Sequence, residues 1–397
     1  MARSDNGATG PATRAIAAGR EGDWARQVPN PPVYRASTHL FASCAELRAT
    51  RIDEADGRRF FYGRQGSPTQ WALEDALTEL ERGAAGTVLY PSGLAAITGA
   101  LLTALKPGDT LLMTDNAYAP SRDFAKGFLT RMGVATRFFD PLDLAGFPTL
   151  FDATTKAVLL ESPGSLTMEV CDVPALARIA RERDAAVLLD NTWATSVGFG
   201  ALEHGCDIAI TALTKHVGGH SDLLLGSCSA GAEWHLKLRQ TARTLGHVVS
   251  PDDAALALRG LRTMPLRLQR QTQSALLISE WLAGREELEQ VHCPLLPGSA
   301  GHALWSRDFT GGCGLFSFTL READDAARCR FIDTLRLFGI GYSWGGYESL
   351  ALPIDPVACR SVMRGLPRNG AAIRLSIGLE DPADLIADLT RGFAALG

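Results

Sequence analysis

The chain has 397 residues, of which 46% are hydrophobic, and 39 basic against 44 acidic side chains give a net charge of −5. This length predicts roughly two to three domains with a core that needs no metal or disulfide. The near balance of charge excludes a dedicated nucleic-acid-binding protein, and no apolar run is as long as a membrane span. The eight cysteines form no CxxC pair, which predicts reduced thiols in a cytoplasmic protein and no metal site.

The first elements in chain order are an N-terminal segment and a helix. Residues 1–60 begin polar and Gly/Ala-rich, without the apolar stretch of a secretory signal. We interpret this segment as an arm that is ordered by packing against another surface. Residues 69–82 carry apolar side chains at helical spacing, and Gly83 ends the pattern.

Between residues 61 and 250, short apolar runs alternate with helical segments. The runs show no polar alternation, and they lie at 87–90, 110–113, 136–139, 156–160, 185–189 and 208–213. Strands that are buried on both faces and joined by crossover helices are typical of a mostly parallel sheet. We therefore predict a large α/β domain over 61–250.

The pattern changes at residue 251 and predicts a smaller α+β domain over 251–397. A long helix is expected over about 251–285, with breaks at Gly260 and Pro265. The elements expected after it are two strands and two helices, at 315–320, 373–377, 326–337 and from Pro382 onward.

Polar residues that directly follow the apolar runs are the candidates for chemistry, because ligands of open α/β sheets bind at the carboxyl ends of the strands. Four such places are Ser92-Gly93, Tyr118, Asp190 and Lys215. Taken singly, each has an ordinary explanation, since a lysine is commonly a solvated charge and an aspartate or a Ser-Gly pair commonly a helix cap. Together they supply an amine, a carboxylate, a flat ring and a helix N-terminus, which are the parts that a pyridoxal phosphate (PLP) site needs.

Other nucleotide and catalytic motifs are absent from the sequence. The chain contains no GxxxxGK[ST] loop, no HExxH motif and no GxSxG elbow. Gly198-Phe199-Gly200 begins like a dinucleotide fingerprint, but Glu203 stands where the third glycine belongs. These readings are therefore excluded.

Seven stretches, in order along the chain, resemble the Cys/Met-metabolism class of fold-type I PLP enzymes. They are Phe61-Tyr62-Gly63-Arg64, Asn116 to Ser121, Glu161 to Ser165, Asp190 to Trp193, Thr214 to Asp222, Tyr342 to Ser349 and Ile373-Arg374-Leu375. The resemblance runs from about Asn30 to the end. It implies an aspartate-aminotransferase-like α/β fold, with a mostly parallel sheet in the large domain and a smaller α+β C-terminal domain.

The resemblance also implies roles toward the cofactor. Lys215 would join PLP covalently and later carry the Cα proton, Asp190 would keep the pyridine nitrogen protonated, and Tyr118 would stack on the ring. A lysine can act in this way only if its site lowers its pKa, because an ammonium group is neither nucleophile nor base.

For the cofactor phosphate, the resemblance implies the backbone N–H groups of Gly93 and Leu94 together with the Thr214 hydroxyl. In this class, the residues that match Tyr62 and Arg64 reach the phosphate from a neighbouring subunit. The resemblance implies that sites are shared between subunits, and it also implies that the 1–60 arm reaches a neighbouring subunit. A homotetramer built as a dimer of dimers is expected, with a plain dimer left open.

The expected substrate is a small amino acid, and its carboxylate would bind Arg374, with Ser343 and Trp344 lining the same pocket. Tyr342 is the best discriminator of the reaction, since γ-specific members usually carry an acidic residue there. Tyr342 and Trp344 resemble the β-lyases, which implies cleavage of L-cystathionine to L-homocysteine, pyruvate and ammonia. Both aromatic residues could instead be ordinary packing residues.

Two alternatives remain open at this point. The first is another reaction of the same class: γ-cleavage, γ-replacement, or elimination from cysteine or a cysteine conjugate. The second is a non-enzymatic binding module that keeps the cofactor fold, and the joint presence of Lys215, Asp190, Tyr118 and Arg374 disfavours it.

Overall fold

The computed structural model describes residues 9–20, 28–50 and 58–396. The predicted arm over 1–60 therefore lies partly outside the described residues. Thirteen α-helices occur in the described parts, namely α1 Pro11–Ala17, α2 Cys44–Ala49, α3 Pro68–Leu80, α4 Gly93–Ala104, α5 Ala119–Phe124, α6 Val173–Arg181, α7 Thr195–Gly198, α8 Ala232–Thr244, α9 Pro251–Ala283, α10 His302–Asp308, α11 Asp325–Thr334, α12 Pro356–Cys359 and α13 Pro382–Ala394.

A seven-stranded sheet forms the centre of the large half of the molecule. Its strands are β1 Gly86–Tyr90, β2 Thr110–Thr114, β3 Ala135–Phe139, β4 Thr155–Glu161, β5 Ala186–Asp190, β6 Ile208–Thr211 and β7 Gly226–Ala230. They lie in the order β1-β7-β6-β5-β4-β2-β3, and only β7 runs antiparallel to its neighbours. The prediction of a mostly parallel α/β sheet is confirmed.

A second sheet of four strands is formed by the C-terminal part of the chain. The strands are β8 Leu288–His292, β9 Leu315–Leu320, β10 Leu350–Ile354 and β11 Ala372–Ser376, in the order β10-β11-β9-β8. All of its pairs are antiparallel, and α11 and α13 pack together beside it. The smaller α+β unit expected from the sequence is therefore present.

The long helix α9 is continuous, so the predicted breaks at Gly260 and Pro265 are wrong. Gly260 is required by packing, because a Cβ atom there would lie 2.3 Å from the carbonyl oxygens of Val217 and Gly218. Pro265 lies inside the helix, where the buried side chains around it hold the helix together despite the missing hydrogen bond. No helix in the described ranges is long and apolar enough to cross a bilayer.

Candidate active site

A cavity of about 210 Å³ lies at the carboxyl ends of the parallel strands. Eight of the residues proposed from the sequence line it, namely Gly93, Leu94, Tyr118, Asp190, Thr214, Lys215, Trp344 and Arg374. Arg374 and Trp344 come from the C-terminal part of the chain, and the others come from the part that builds the large sheet. The cavity therefore lies between the two sheets.

The N-terminus of α4 forms one wall of this cavity. Ser92 caps the helix, since its Oγ accepts the Ala95 N–H at 3.1 Å. The N–H groups of Gly93 and Leu94 have no partner within the described residues and are the first donors of a twelve-residue helix. A Cβ atom on Gly93 would lie 2.5 Å from Cβ of Ala212, so only glycine permits this approach. Free N–H groups at a helix N-terminus bind phosphate.

Asp190 is the last residue of β5, and one of its carboxylate oxygens is fixed by Thr192. Oδ1 accepts the Thr192 backbone N–H at 3.0 Å and its hydroxyl at 2.5 Å, and Thr192 Oγ1 in turn accepts the Ala212 N–H at 2.9 Å. Burial raises the pKa of Asp190, while Thr192 and Lys215 oppose the rise. No hydrogen bond to Oδ2 occurs among the described residues, so this oxygen can bind a ligand.

Lys215 lies in the turn that follows β6, and its Nζ donates to Ser343 Oγ at 2.8 Å. Burial and the neighbouring Arg374 guanidinium lower the pKa of Lys215 to about 8, and Asp190 opposes the change. The lowered pKa matches what the sequence analysis requires of a nucleophilic lysine. Nζ also lies 5.3 Å from the centre of the Trp344 ring.

Tyr118 immediately precedes α5, and the residue is 46% exposed. Its backbone N–H donates to Glu161 Oε2 at 2.6 Å. Burial, Glu161 and Asp190 raise the pKa of the Tyr118 phenol, and Arg374 opposes the rise. The phenol therefore stays protonated at neutral pH.

Arg374 is carried by β11, and its Nη2 donates to the Ser343 carbonyl oxygen at 3.2 Å. Ser343 adopts φ 101°, which is strained for a residue with a side chain. This conformation lets one residue contact Arg374 through its carbonyl group and Lys215 through its hydroxyl group. Ser343 thus joins the lysine to the guanidinium, although it does not itself line the cavity.

For four of the residues predicted from the sequence, the structure shows a position or contact that differs from the expected one. Tyr342 is 89% exposed and does not line the cavity. Tyr62 and Arg64 also lie away from it, and Arg64 Nη1 donates to the Arg243 carbonyl oxygen at 2.9 Å. Thr214 lines the cavity, but its hydroxyl donates to the Leu225 carbonyl oxygen at 3.1 Å.

Glu161 is a site residue to which the sequence analysis gave no role. It ends β4, pairs in register with Asp190 and lines the cavity. The signal was present, because Glu161 directly follows the apolar run 156–160 just as Asp190 follows 185–189.

Comparison with known proteins is consistent with this geometry. A model of the family described as "Cys/Met metabolism PLP-dependent enzyme" matches residues 12–394. A putative cystathionine beta-lyase of Rhizobium johnstonii is 48% identical over 92% of this chain and 91% of its own length. Cystathionine beta-lyase MetC of Escherichia coli is 44% identical over 97% and 98%. A crystal structure of cystathionine gamma synthase from Xanthomonas oryzae, in complex with aminoacrylate and cysteine, superposes with a TM-score of 0.89 at 32% identity, covering 98% of each chain.

The chain belongs to the Cys/Met-metabolism family of PLP-dependent enzymes. The predicted class and its cofactor are thereby confirmed. The residues of the cavity fit PLP. Lys215 has a lowered pKa, Asp190 uses one carboxylate oxygen for Thr192, and Gly93 begins a helix at a place where a Cβ atom would not fit. Among the described residues, no group of three His, Cys, Asp or Glu side chains could hold a metal ion.

Proposed function

We propose that this chain is a PLP-dependent carbon–sulfur lyase that cleaves L-cystathionine to L-homocysteine, pyruvate and ammonia. The observation that carries this proposal is the Lys215 amine, which lies 2.8 Å from Ser343 Oγ in a cavity shared with Asp190 and Arg374. The two β-lyase relatives, at 48% and 44% identity, support the choice of β-elimination.

Asp190 and Tyr118 would hold the cofactor ring. When bound, PLP supplies a carbon that reacts with amines and a pyridinium ring that delocalises the electron pair left at Cα. Asp190 would keep the ring nitrogen protonated through Oδ2, because Thr192 occupies Oδ1. The ring of Tyr118, a half-exposed residue, would cover one face.

Lys215 would act as the base. Its lowered pKa gives a substantial fraction of neutral amine near neutral pH, and this amine can take the Cα proton of the substrate. The electron pair left at Cα then forms a Cα=Cβ bond as the Cβ–S bond breaks, and sulfur leaves with the Cβ–S electron pair as the thiolate of homocysteine. Water hydrolyses the released aminoacrylate to pyruvate and ammonia. Ser343 Oγ would hold Nζ in place between these events.

Arg374 would bind the substrate carboxylate. A guanidinium group suits a carboxylate because it can donate two parallel hydrogen bonds. Burial lowers the pKa of Arg374, yet arginine stays charged at neutral pH. The cavity therefore presents a partly buried cation that an anionic group can neutralise. Trp344, which lies edge-on to His216, would close the same wall.

We further propose a homotetramer, built as a dimer of dimers, with a site shared between subunits. Tyr62 and Arg64 line no part of this chain's own cavity, which supports their action on a partner's cofactor. We divide the chain into an arm over 1–60, a PLP-binding domain over 61–250 and a C-terminal domain over 251–397. A cytoplasmic location is supported by the cysteines, all eight of which are described and free.

A product assay with L-cystathionine tests the reaction. We expect pyruvate and homocysteine in equal amounts, and Lys215→Ala should abolish both. Formation of 2-oxobutyrate and cysteine would instead identify the γ-reaction. A wild-type protein that binds PLP and makes none of these products would favour a binding module.

A further inference from the structure

We propose that Glu161 is a positioning residue that places the Tyr118 ring over the cofactor by accepting the Tyr118 backbone N–H. The proposal rests on the proposed function, because it concerns the same cavity. It adds a residue that touches neither the substrate carboxylate nor the ring nitrogen in the mechanism above.

The position of Glu161 follows from strand register. Glu161 ends β4 and pairs with Asp190, which ends β5, so their side chains leave the sheet side by side on the same face. Its own N–H donates to Thr114 Oγ1 at 3.3 Å, which ties it to the end of β2. The carboxylate therefore stands at a fixed place between Asp190 and the Tyr118 backbone.

Tyr118 needs such an anchor because little else holds its ring. Tyr118 as a whole residue is 46% exposed. Tyr118 is the N-cap residue of α5, but its side chain makes no capping hydrogen bond. A side chain with so few contacts takes its position from its backbone. The Tyr118 carbonyl oxygen accepts the N–H groups of Ser121 and Arg122 at 3.0 Å and 3.2 Å, which ties it to α5. The 2.6 Å hydrogen bond from its N–H to Glu161 Oε2 ties the same backbone to the end of β4.

The charges around Glu161 leave this contact intact at neutral pH. Burial raises the pKa of Glu161 well above its usual value, and the negative charges of Asp190 and Glu169 add to the rise. Arg360 opposes it, as does the Tyr118 N–H. Protonation at Oε1 would leave Oε2 free to accept, so the hydrogen bond needs an oxygen and not a charge.

Suitable variants separate the effect of the acceptor oxygen from the effect of the negative charge. Glu161→Gln keeps an acceptor oxygen and removes the charge, whereas Glu161→Leu has similar size and removes the acceptor. Glu169→Leu is the matched control, because Glu169 lies in the same cluster and bonds to Asn116 Nδ2 at 3.4 Å but not to Tyr118. Glu161→Asp withdraws the acceptor by one methylene group and serves if Glu161→Leu fails to fold.

The holoenzymes are compared by three measurements: the circular dichroism of the bound cofactor in the near-visible range, kcat and KM for L-cystathionine, and Tm. We expect Glu161→Leu to change the dichroism band and to lower kcat by about 10- to 100-fold, because the Tyr118 N–H would be left without an acceptor. Glu161→Gln should retain at least about tenfold more activity than Glu161→Leu. Glu169→Leu should keep the wild-type band.

A double-mutant cycle with Tyr118→Ala decides whether Glu161 acts through the tyrosine. In the Tyr118→Ala background, Glu161→Leu should reduce kcat by less than about threefold. Full additivity, or a Glu161→Leu protein with the wild-type band and kinetics, would overturn the proposal. A wild-type protein that binds no PLP or forms no pyruvate would overturn the proposed function instead, so the two failures are distinguishable.

Discussion

The Lys215 amine and the Ser343 hydroxyl lie 2.8 Å apart, although 128 positions separate them in the sequence. Ser343, in the C-terminal part of the chain, thus fixes the amine of Lys215, which follows strand β6 of the large sheet. Ser343 does this in a strained conformation with φ 101°, and backbone strain of this kind is typical of functional sites.

Capture of PLP by the apoprotein should depend on pH through Lys215. With a pKa of about 8, half of the amines are neutral at pH 8, against about 0.3% for an ordinary lysine. We expect the rate of PLP incorporation, followed by near-visible absorbance, to rise about tenfold per pH unit below pH 8 and to level off above it. A rate that still climbs steeply between pH 9 and pH 10 would contradict the lowered pKa. Borohydride treatment should fix the cofactor to Lys215.

Asp190→Asn should leave the cofactor bound but slow the reaction. A pre-aligned charge at a buried site is commonly worth about 3–4 kcal/mol, so we expect kcat to fall by a factor of about 100 to 1,000. The assay is pyruvate release under saturating L-cystathionine. Activity close to wild type would mean that Asp190 does not control the protonation of the ring. The Thr192→Val variant is a useful companion, because it frees Oδ1 of one donor while keeping the carboxylate.

Arg374→Ala should mainly impair substrate capture. Loss of a charge-assisted hydrogen bond costs about 2–3 kcal/mol, which corresponds to a drop in kcat/KM of about 30- to 150-fold. Arg374→Lys keeps the charge without the planar fork and should recover only part of this loss. An unchanged kcat/KM in Arg374→Ala would move the carboxylate site elsewhere in the cavity.

Subunit mixing tests whether sites are shared. An inactive Tyr62 variant and an inactive Lys215 variant should regain activity on mixing, because a hybrid dimer can hold one intact site. Recovery should require subunit exchange, which differently tagged chains can verify. If hybrids form and stay inactive, each chain supplies its own complete site.

Acid stability should depend on Asp115. Burial alone would raise its pKa, but the backbone N–H groups of Met363, Val362 and Ser361 and the Ser361 hydroxyl outweigh burial and lower the pKa to about 2. A depressed carboxylate pKa stabilises the fold above pH 4, and this contribution is lost as the pH falls from about 4 to about 2. It amounts to about 2 kcal/mol at neutral pH.

Asp115→Asn should remove that pH dependence and lower the free energy of unfolding at pH 7. The loss should reach about 3–5 kcal/mol, since Arg122, 2% exposed, would keep a buried charge without its partner. Urea unfolding at pH 7 and pH 3.5 measures both effects. Asp123→Asn, at an exposed neighbouring position, is the control and should behave like wild type.

The sequence predicts most of the large sheet and the centre of the site. Buried parallel strands carry continuous apolar runs, so six of the seven strands could be located, and Lys215 and Asp190 were found because they follow two of those runs. Strand β7 was missed because its residues, Gly226–Ala230, are small and polar. Small side chains are needed there, since a Cβ atom on Gly226 would lie 2.3 Å from the Ser92 carbonyl oxygen.

Other features could not be read from local pattern. Asp115 contacts residues 361–363, which lie about 250 positions further along the chain. The hydrophobic periodicity of a sequence indicates local helices and strands but not such long-range contacts. The role of Glu161 depends on register between β4 and β5, which apolar runs do not specify. The exposure of Tyr342 likewise depends on tertiary structure.

The 33 residues of α9 form a rod about 50 Å long. It packs against α1 and α3 at one end of the chain and against β8 and α13 at the other. A continuous helix that packs against both halves resists hinge bending between them. We therefore expect binding of an amino acid to leave the overall envelope in small-angle scattering unchanged.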